Sequence, residues 1–116
     1  MDDRFLQQMK KGVLEMLVLE TICRQSTYGY QLLTNLKNRS QGLFSLKEGT
    51  LYPILYRLED DGMILSFWQQ GEGRTAPKKI YSATEKGHQE RHRRWQVWET
   101  FSNTVNSFYQ KGDEVQ

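Results

Sequence analysis

One cysteine, two prolines and two histidines are all that 116 residues offer of those three types, and each scarcity removes a class of protein. A lone thiol, Cys23, forms no internal disulfide and gives no paired-cysteine zinc spacing, so it is expected to be a buried structural residue. Long apolar runs are absent as well. The longest, Met16 to Leu19, is far shorter than the ~20 residues a bilayer-crossing helix needs. The acidic start Met1-Asp2-Asp3 lacks the basic-then-apolar order of a secretory leader, which leads to the expectation of a cytoplasmic protein without membrane partners. No nucleophile elbow, phosphate loop or histidine with an orienting acid and a nucleophile is present, so an enzyme is not expected, nor a cofactor. The net charge of +2 is too small to imply nucleic acid by itself. What matters is whether Lys and Arg gather in one place.

A chain with 37% hydrophobic and 12% aromatic residues has enough to bury one core, and its length suits one domain. Single Gly, Pro, Ser and Thr residues divide it into five parts. From about Phe5 to Arg24, Leu14, Leu17, Val18 and Ile22 recur at three- and four-residue steps with Glu15 and Glu20 off the stripe, which reads as a helix despite Gly12. A second helix is expected to be capped by Ser26 or Thr27, to turn Leu32, Leu33 and Leu36 inward and to end over Asn38 to Gly42. Ser45-Leu46-Lys47-Glu48 has the spacing of a capping box, opening a third helix through Leu51, Leu55 and Leu58 to Asp60-Asp61-Gly62. Pro53 inside it should produce a local kink at Gly49. Met63 to Gln70 and Lys78 to Ala83, joined across Gly71-Glu72-Gly73, read as a β-hairpin. Thr84 then caps a fourth helix reaching about Gln110, along which Trp98, Phe101, Val105 and Phe108 form a stripe that seeks a partner surface.

Three helices followed by a hairpin is the order of a winged helix-turn-helix, in which the third helix enters the major groove and the hairpin lies along the backbone. The fold class is α+β, mainly α: three helices and a two-stranded wing, with a C-terminal dimerisation helix. Residues 1–83 are the expected DNA-binding part, 84–110 the dimerisation helix of the same compact unit, and 111–116 a flexible tail. Tyr28, Tyr30, Lys47, Thr50 and Tyr52 cluster near the openings of helices two and three, where amides and hydroxyls meet phosphates or base edges. Arg74, Lys78 and Lys79 give the hairpin the basic character a wing needs. Tyr28 and Tyr30 can alternatively pack the helix junction, and Tyr52 is the stronger candidate for contact with DNA.

The residues Tyr28-Gly29-Tyr30-Gln31-Leu32, Glu48-Gly49-Thr50-Leu51-Tyr52-Pro53 with Arg57-Leu58-Glu59, and Lys79-Ile80-Tyr81 with Thr84-Glu85-Lys86-Gly87 together resemble the PadR family of transcriptional regulators, in particular its compact, multidrug-sensing branch. The resemblance implies a homodimer held by the last helix and the first, binding a palindromic operator in double-stranded DNA and usually repressing. It makes Pro53 a family feature. Where many members carry an Arg-Lys pair before the last wing tyrosine, this chain has Ala76-Pro77-Lys78-Lys79. Lysine keeps the charge and loses the arginine fork, so phosphate contacts are expected from the wing rather than base readout. The same branch implies a pocket at the dimer interface in which Trp98 stacks on planar aromatic effectors, with Trp95 beside it and Met9 and Met16 as a flexible facing wall. Core or dimer packing is the plainer account of Trp98, Phe101, Val105 and Phe108.

Two further clusters carry plain readings. Arg91, Arg93 and Arg94 are expected to form a solvated face with Glu90. Glu85, His88 and His92 share helical spacing, but a structural zinc normally needs four ligands, so no metal site is expected. The alternative to a DNA-binding regulator is a winged-helix adaptor that binds protein through its hairpin and Tyr-rich helix.

Overall fold

The computed structural model describes residues 3–110; the expected tail at 111–116 lies outside the described residues. In chain order the elements are α1 (Arg4–Arg24), β1 (Thr27–Tyr28), α2 (Gly29–Arg39), α3 (Glu48–Asp60), β2 (Ile64–Gln69), β3 (Lys78–Ala83) and α4 (Glu85–Ser107). α1 begins where the Asp3 carboxylate accepts the Leu6 amide at 3.0 Å, and it runs through Gly12 without a break. Its stripe buries Leu14, Val18, Leu19 and Ile22, with Leu17 packed at the margin. Leu32 and Leu36 of α2, and Leu51, Ile54, Leu55 and Leu58 of α3, close the core from the other side, with Phe44, Met63, Ile64 and Tyr81.

The helix openings differ from the expected ones. α2 is capped by neither Ser26 nor Thr27: its N-cap is Tyr28, in an extended conformation and without a side-chain bond to the helix. Ser26 and Thr27 are drawn instead toward the sheet, where Ser26 Oγ lies 2.6 Å from Ser82 Oγ and Thr27 pairs with Tyr81. α3 likewise lacks the Ser45 capping box; Lys47 is its N-cap, with no side-chain bond, and Glu48 sits in the first turn. Glu48 there still suits the positive end of the helix dipole. Pro53 sits inside α3 without ending it.

The hairpin is part of a three-stranded antiparallel sheet in the order β1-β3-β2. β1 was not anticipated. It sets Tyr28 opposite Ile80 and thereby ties the start of α2 to the wing.

α4 starts as expected, with Thr84 Oγ1 accepting the Gly87 amide at 3.0 Å. The same hydroxyl donates to the Gly62 carbonyl at 2.6 Å, the Thr84 amide donates to the Met63 carbonyl at 3.0 Å, and Lys86 Nζ reaches the Asp61 carbonyl at 2.7 Å. A Cβ at Gly87 would run into the backbone of Met63, so the first turn of α4 is seated directly on the turn that ends α3. Beyond that joint α4 runs along α1 as far as Arg94, which reaches Glu15, and then leaves the domain: Gly87 is its one buried residue, and the molecule measures 69 × 36 × 20 Å.

Candidate nucleic-acid interface

Around the start of α2, the fold gathers several of the residues expected to meet DNA. Gly29 opens the helix against the side chain of Tyr52, and a Cβ there would stand 2.5 Å from the Tyr52 hydroxyl. Only glycine admits that approach without displacing the ring. Tyr52 is thus half-buried, leaning on the α2 junction, while Tyr30 one residue further on is 73% exposed. Tyr28 is also half-buried, and Lys78 Nζ lies 4.4 Å from its ring centroid, a cation–π contact that holds the wing lysine near the helix junction. Lys79 stands 5.8 Å from the Tyr81 ring. Lys47 and Thr50 are exposed around the first turn of α3, and Arg74 is exposed in the wing loop. Thr50 faces the α1 side, where it shares a shallow cleft with Lys11, Pro53 and Arg57.

Below α3 the sheet is electrostatically quiet. Burial pushes the Tyr81 phenol up to about 12, with Tyr52, Glu59 and Tyr56 adding to the shift, so it stays neutral and acts as core. Tyr56 is the residue that the sequence pattern did not single out. It is exposed on α3, one turn beyond Tyr52, with ring centroids 6.5 Å apart, and an aromatic four residues after Tyr52 on the same helix was its signal.

The second set of expected site residues lies along α1 and α4, which pack antiparallel: Cys23 meets Gly87, Glu20 meets Arg91, and Glu15 meets Arg94. Cys23 is half-buried, its thiol 3.7 Å from the Gly87 carbonyl, and burial raises its pKa above the ordinary thiol value. Arg91 and Arg94 therefore do more than line a solvated face. Burial alone would raise the Glu20 pKa, but hydrogen bonds from Arg91 and Arg24 outweigh it and hold the carboxyl below its usual value. The expected Glu90–Arg94 pair is present at 3.0 Å, and the Arg93 hydrogen bond, aided by Arg94, lowers Glu90 to about 2 against the opposing effect of burial.

An open groove of about 410 Å³ between these helices brings Met16 and Trp95 together with Glu20, Arg39, Arg91 and His92. Met9 and Trp98 are not among its lining residues. Trp98 is half-buried with its ring 6.4 Å from Phe101, and Met9 is exposed. Past Trp98, Phe101, Val105 and Phe108 stand 61%, 43% and 81% exposed, an apolar face left uncovered among the described residues.

The PadR-like transcriptional regulator family matches residues 18–93, well over half of the chain. The chain belongs to the PadR-like family. It is 31% identical over 80 residues to the negative transcriptional regulator PadR of Bacillus subtilis, which covers 69% of this chain and 43% of that longer protein. Among solved structures, a PadR family regulator from Eggerthella lenta superposes with a TM-score of 0.81 at 28% identity, covering 92% of this chain and 90% of the other. A PadR-like regulator from Bacillus cereus gives 0.77 at 34% identity, covering 89% and 97%.

This PadR-like chain is accordingly a DNA-binding transcriptional regulator with a mainly helical winged fold, from a family of transcription factors rather than enzymes. Among the described residues no group of three His, Cys, Asp or Glu side chains is placed to hold a metal ion, Glu85, His88 and His92 included. No described helix is long and apolar enough to cross a membrane.

Proposed function

We propose that this PadR-like regulator is a cytoplasmic, ligand-responsive repressor that binds a palindromic operator as a homodimer. The observation that carries the reading is the bare apolar face of α4: a 23-residue helix that buries only Gly87 in its own subunit while leaving Phe101, Val105 and Phe108 in solvent. Such a face is stable only when another apolar surface covers it, and a second copy supplies an identical one under two-fold symmetry. Trp98 joins the seam with Phe101. Two-fold pairing presents two copies of α3, which is what a palindromic site requires. Residues 1–83 then read DNA and 84–110 join the subunits.

Within the reading half, Lys47, Thr50 and Tyr52 serve α3, Tyr28 and Tyr30 the start of α2, and Arg74, Lys78 and Lys79 the phosphates beside the wing. The half-buried placement of Tyr52, one turn before the exposed Tyr56, makes it a residue that aims Tyr56 as much as a contact in its own right. Met16 and Trp95 of the groove, with Met9 and Trp98 further along the same two helices, are the thioether and aromatic side chains on which planar effectors would stack. An effector acts as inducer if it favours a subunit spacing that the operator does not.

Selection of binding duplexes from a random pool tests this reading. Enrichment of a two-fold sequence, bound with a steep salt dependence, is the expected result. The exposure of Leu65, Phe67 and Trp68 on β2, at 48%, 48% and 67%, favours the adaptor as the second reading. A chain that enriches no sequence and binds duplex without salt dependence would leave that one standing.

A further inference from the structure

Glu15 lies off the apolar stripe of α1, yet its side chain is only 28% exposed and both of its oxygens are engaged by other helices. Arg57 of α3 donates to Oε2 from Nε at 3.3 Å and from Nη2 at 3.2 Å. Arg94 of α4 donates to Oε1 from Nη1 at 3.2 Å, and its Nε goes to Glu90 at 3.0 Å. Arg94 is itself only 22% exposed, with Nη2 3.7 Å from the sulfur of Met63 in the turn after α3. A single carboxylate therefore spans α3 and α4. An isolated surface ion pair counts for little, but a half-buried carboxylate that takes two N–H groups of Arg57 on one oxygen and one of Arg94 on the other is held in direction as well as distance.

The position of Arg57 gives the link its consequence. Thr50, Pro53 and Arg57 share the cleft that faces α1, so the carboxylate that holds Arg57, itself 58% exposed, adds to the core contacts of Leu51, Ile54, Leu55 and Leu58 in setting the roll of α3 about its axis. We propose that Glu15 is a positioning residue for DNA reading, tying the roll of α3 to the tilt of α4. The inference rests on the reading that α3 enters the groove and α4 joins the subunits. Glu20 provides the comparison. It ties α1 to α4 through Arg91, with its other partner Arg24 also on α1, and so stitches the same two helices without reaching α3.

The test uses the full chain, one duplex that the wild type enriches from a random pool, and a shuffled duplex of equal length. Glu15→Gln should lower the ratio of the two affinities about three- to tenfold while affinity for the shuffled duplex and the dimer dissociation constant hold. Arg94→Gln should lower the ratio by a similar factor although it sits on α4, and the double variant should fall no further than either single one. Glu20→Gln should leave the ratio unchanged. If Glu15→Gln unfolds, Arg57→Lys and Arg94→Lys keep the charges, lose the fork, and should lower the ratio in the same way.

A ratio within twofold of wild type for Glu15→Gln overturns the inference, as does an equal loss in Glu20→Gln or a double variant whose loss is the product of the singles. A wild type that binds both duplexes alike removes the operator reading and the inference together. A wild type that discriminates beside an equally discriminating Glu15→Gln removes the inference alone.

Discussion

Phe101→Ala addresses the open face of α4 with the least disturbance elsewhere. The ring is 61% exposed in the single subunit and rests near Trp98. A phenylalanine buries about 150–250 Å² when fully covered, so roughly 90–150 Å² of it remains for a partner. At about 25 cal/mol per Å² that area is worth roughly 2–4 kcal/mol per subunit. Both copies contribute, but association converts area inefficiently and alanine keeps the Cβ, so a net loss of about 2–3 kcal/mol per dimer is expected. That is a dissociation constant raised about 30- to 150-fold. Alanine is the best helix former, so α4 itself should persist. Sedimentation equilibrium over a range of loading concentrations measures the constant, and circular dichroism checks the helix. Phe101→Asp, which would bury an unpaired carboxylate in the seam, should yield monomers outright. Two variants that dimerise as tightly as the wild type would refute the reasoning and move the seam off this face.

Four further expectations concern other parts of the molecule. Replacing Lys78 and Lys79 with Ala should weaken binding to every duplex and flatten its salt dependence by a slope of about 1 for each phosphate no longer neutralised; an unaltered slope in a salt titration would take the wing off the phosphates. Trp98→Ala should lose affinity for a planar aromatic dye, read by fluorescence titration at a protein concentration high enough to keep the variant dimeric, because the same ring joins the seam; full dye affinity in that variant would place the pocket elsewhere. Gly29→Ala sets a methyl 2.5 Å from the Tyr52 hydroxyl, so urea unfolding should show a loss of about 1–3 kcal/mol that Tyr52→Phe in the same chain partly restores. No recovery would mean the hydroxyl is not what the methyl meets. Glu90 has its pKa lowered from 4.5 to about 2 on folding, so its contribution to stability is complete above the unfolded value and is lost as pH falls through about 2. Stability measured across that acid window should lose this component in Glu90→Gln, and an identical acid profile in both proteins would remove the assignment.

The helices were legible because their apolar residues repeat at three and four, and burial follows that repeat in α1, α2 and α3. What escaped was decided by tertiary partners. β1 has two residues, too few for any alternation to show, and exists because β3 lies beside it. That same pairing pulled Ser26 and Thr27 away from capping α2. Glu15 and Glu20 stand off the apolar stripe and read as solvent-facing, because sequence periodicity separates apolar from polar without saying that an arginine of another helix waits opposite. For the site, residue types near the openings of α2 and α3 were enough to set Tyr28 and Tyr52 in one neighbourhood, whereas Lys78, read only as a wing residue, reaches Tyr28 through the β1–β3 pairing. The close approach of the Tyr52 hydroxyl to Gly29 was not legible, since it depends on the angle between two helices.

The joint at the foot of α4 makes that helix a lever with a fixed base and a free arm. Thr84, Gly87 and Lys86 pin its first turn to the backbone of Asp61, Gly62 and Met63, Arg91 and Arg94 tie the next turns to Glu20 and Glu15 of α1, and roughly 13 further residues at 1.5 Å each carry the far end at Ser107 about 20 Å beyond. A tilt of about 10° at the base, hardly a displacement there, swings the far end through about 3.5 Å, close to one base-pair step of 3.4 Å. In a dimer joined along that arm, mechanical tolerance at three backbone carbonyls and two ion pairs becomes the precision with which two half-sites are measured. A larger residue at Gly87 would then act less on whether DNA is bound than on which half-site separation is preferred.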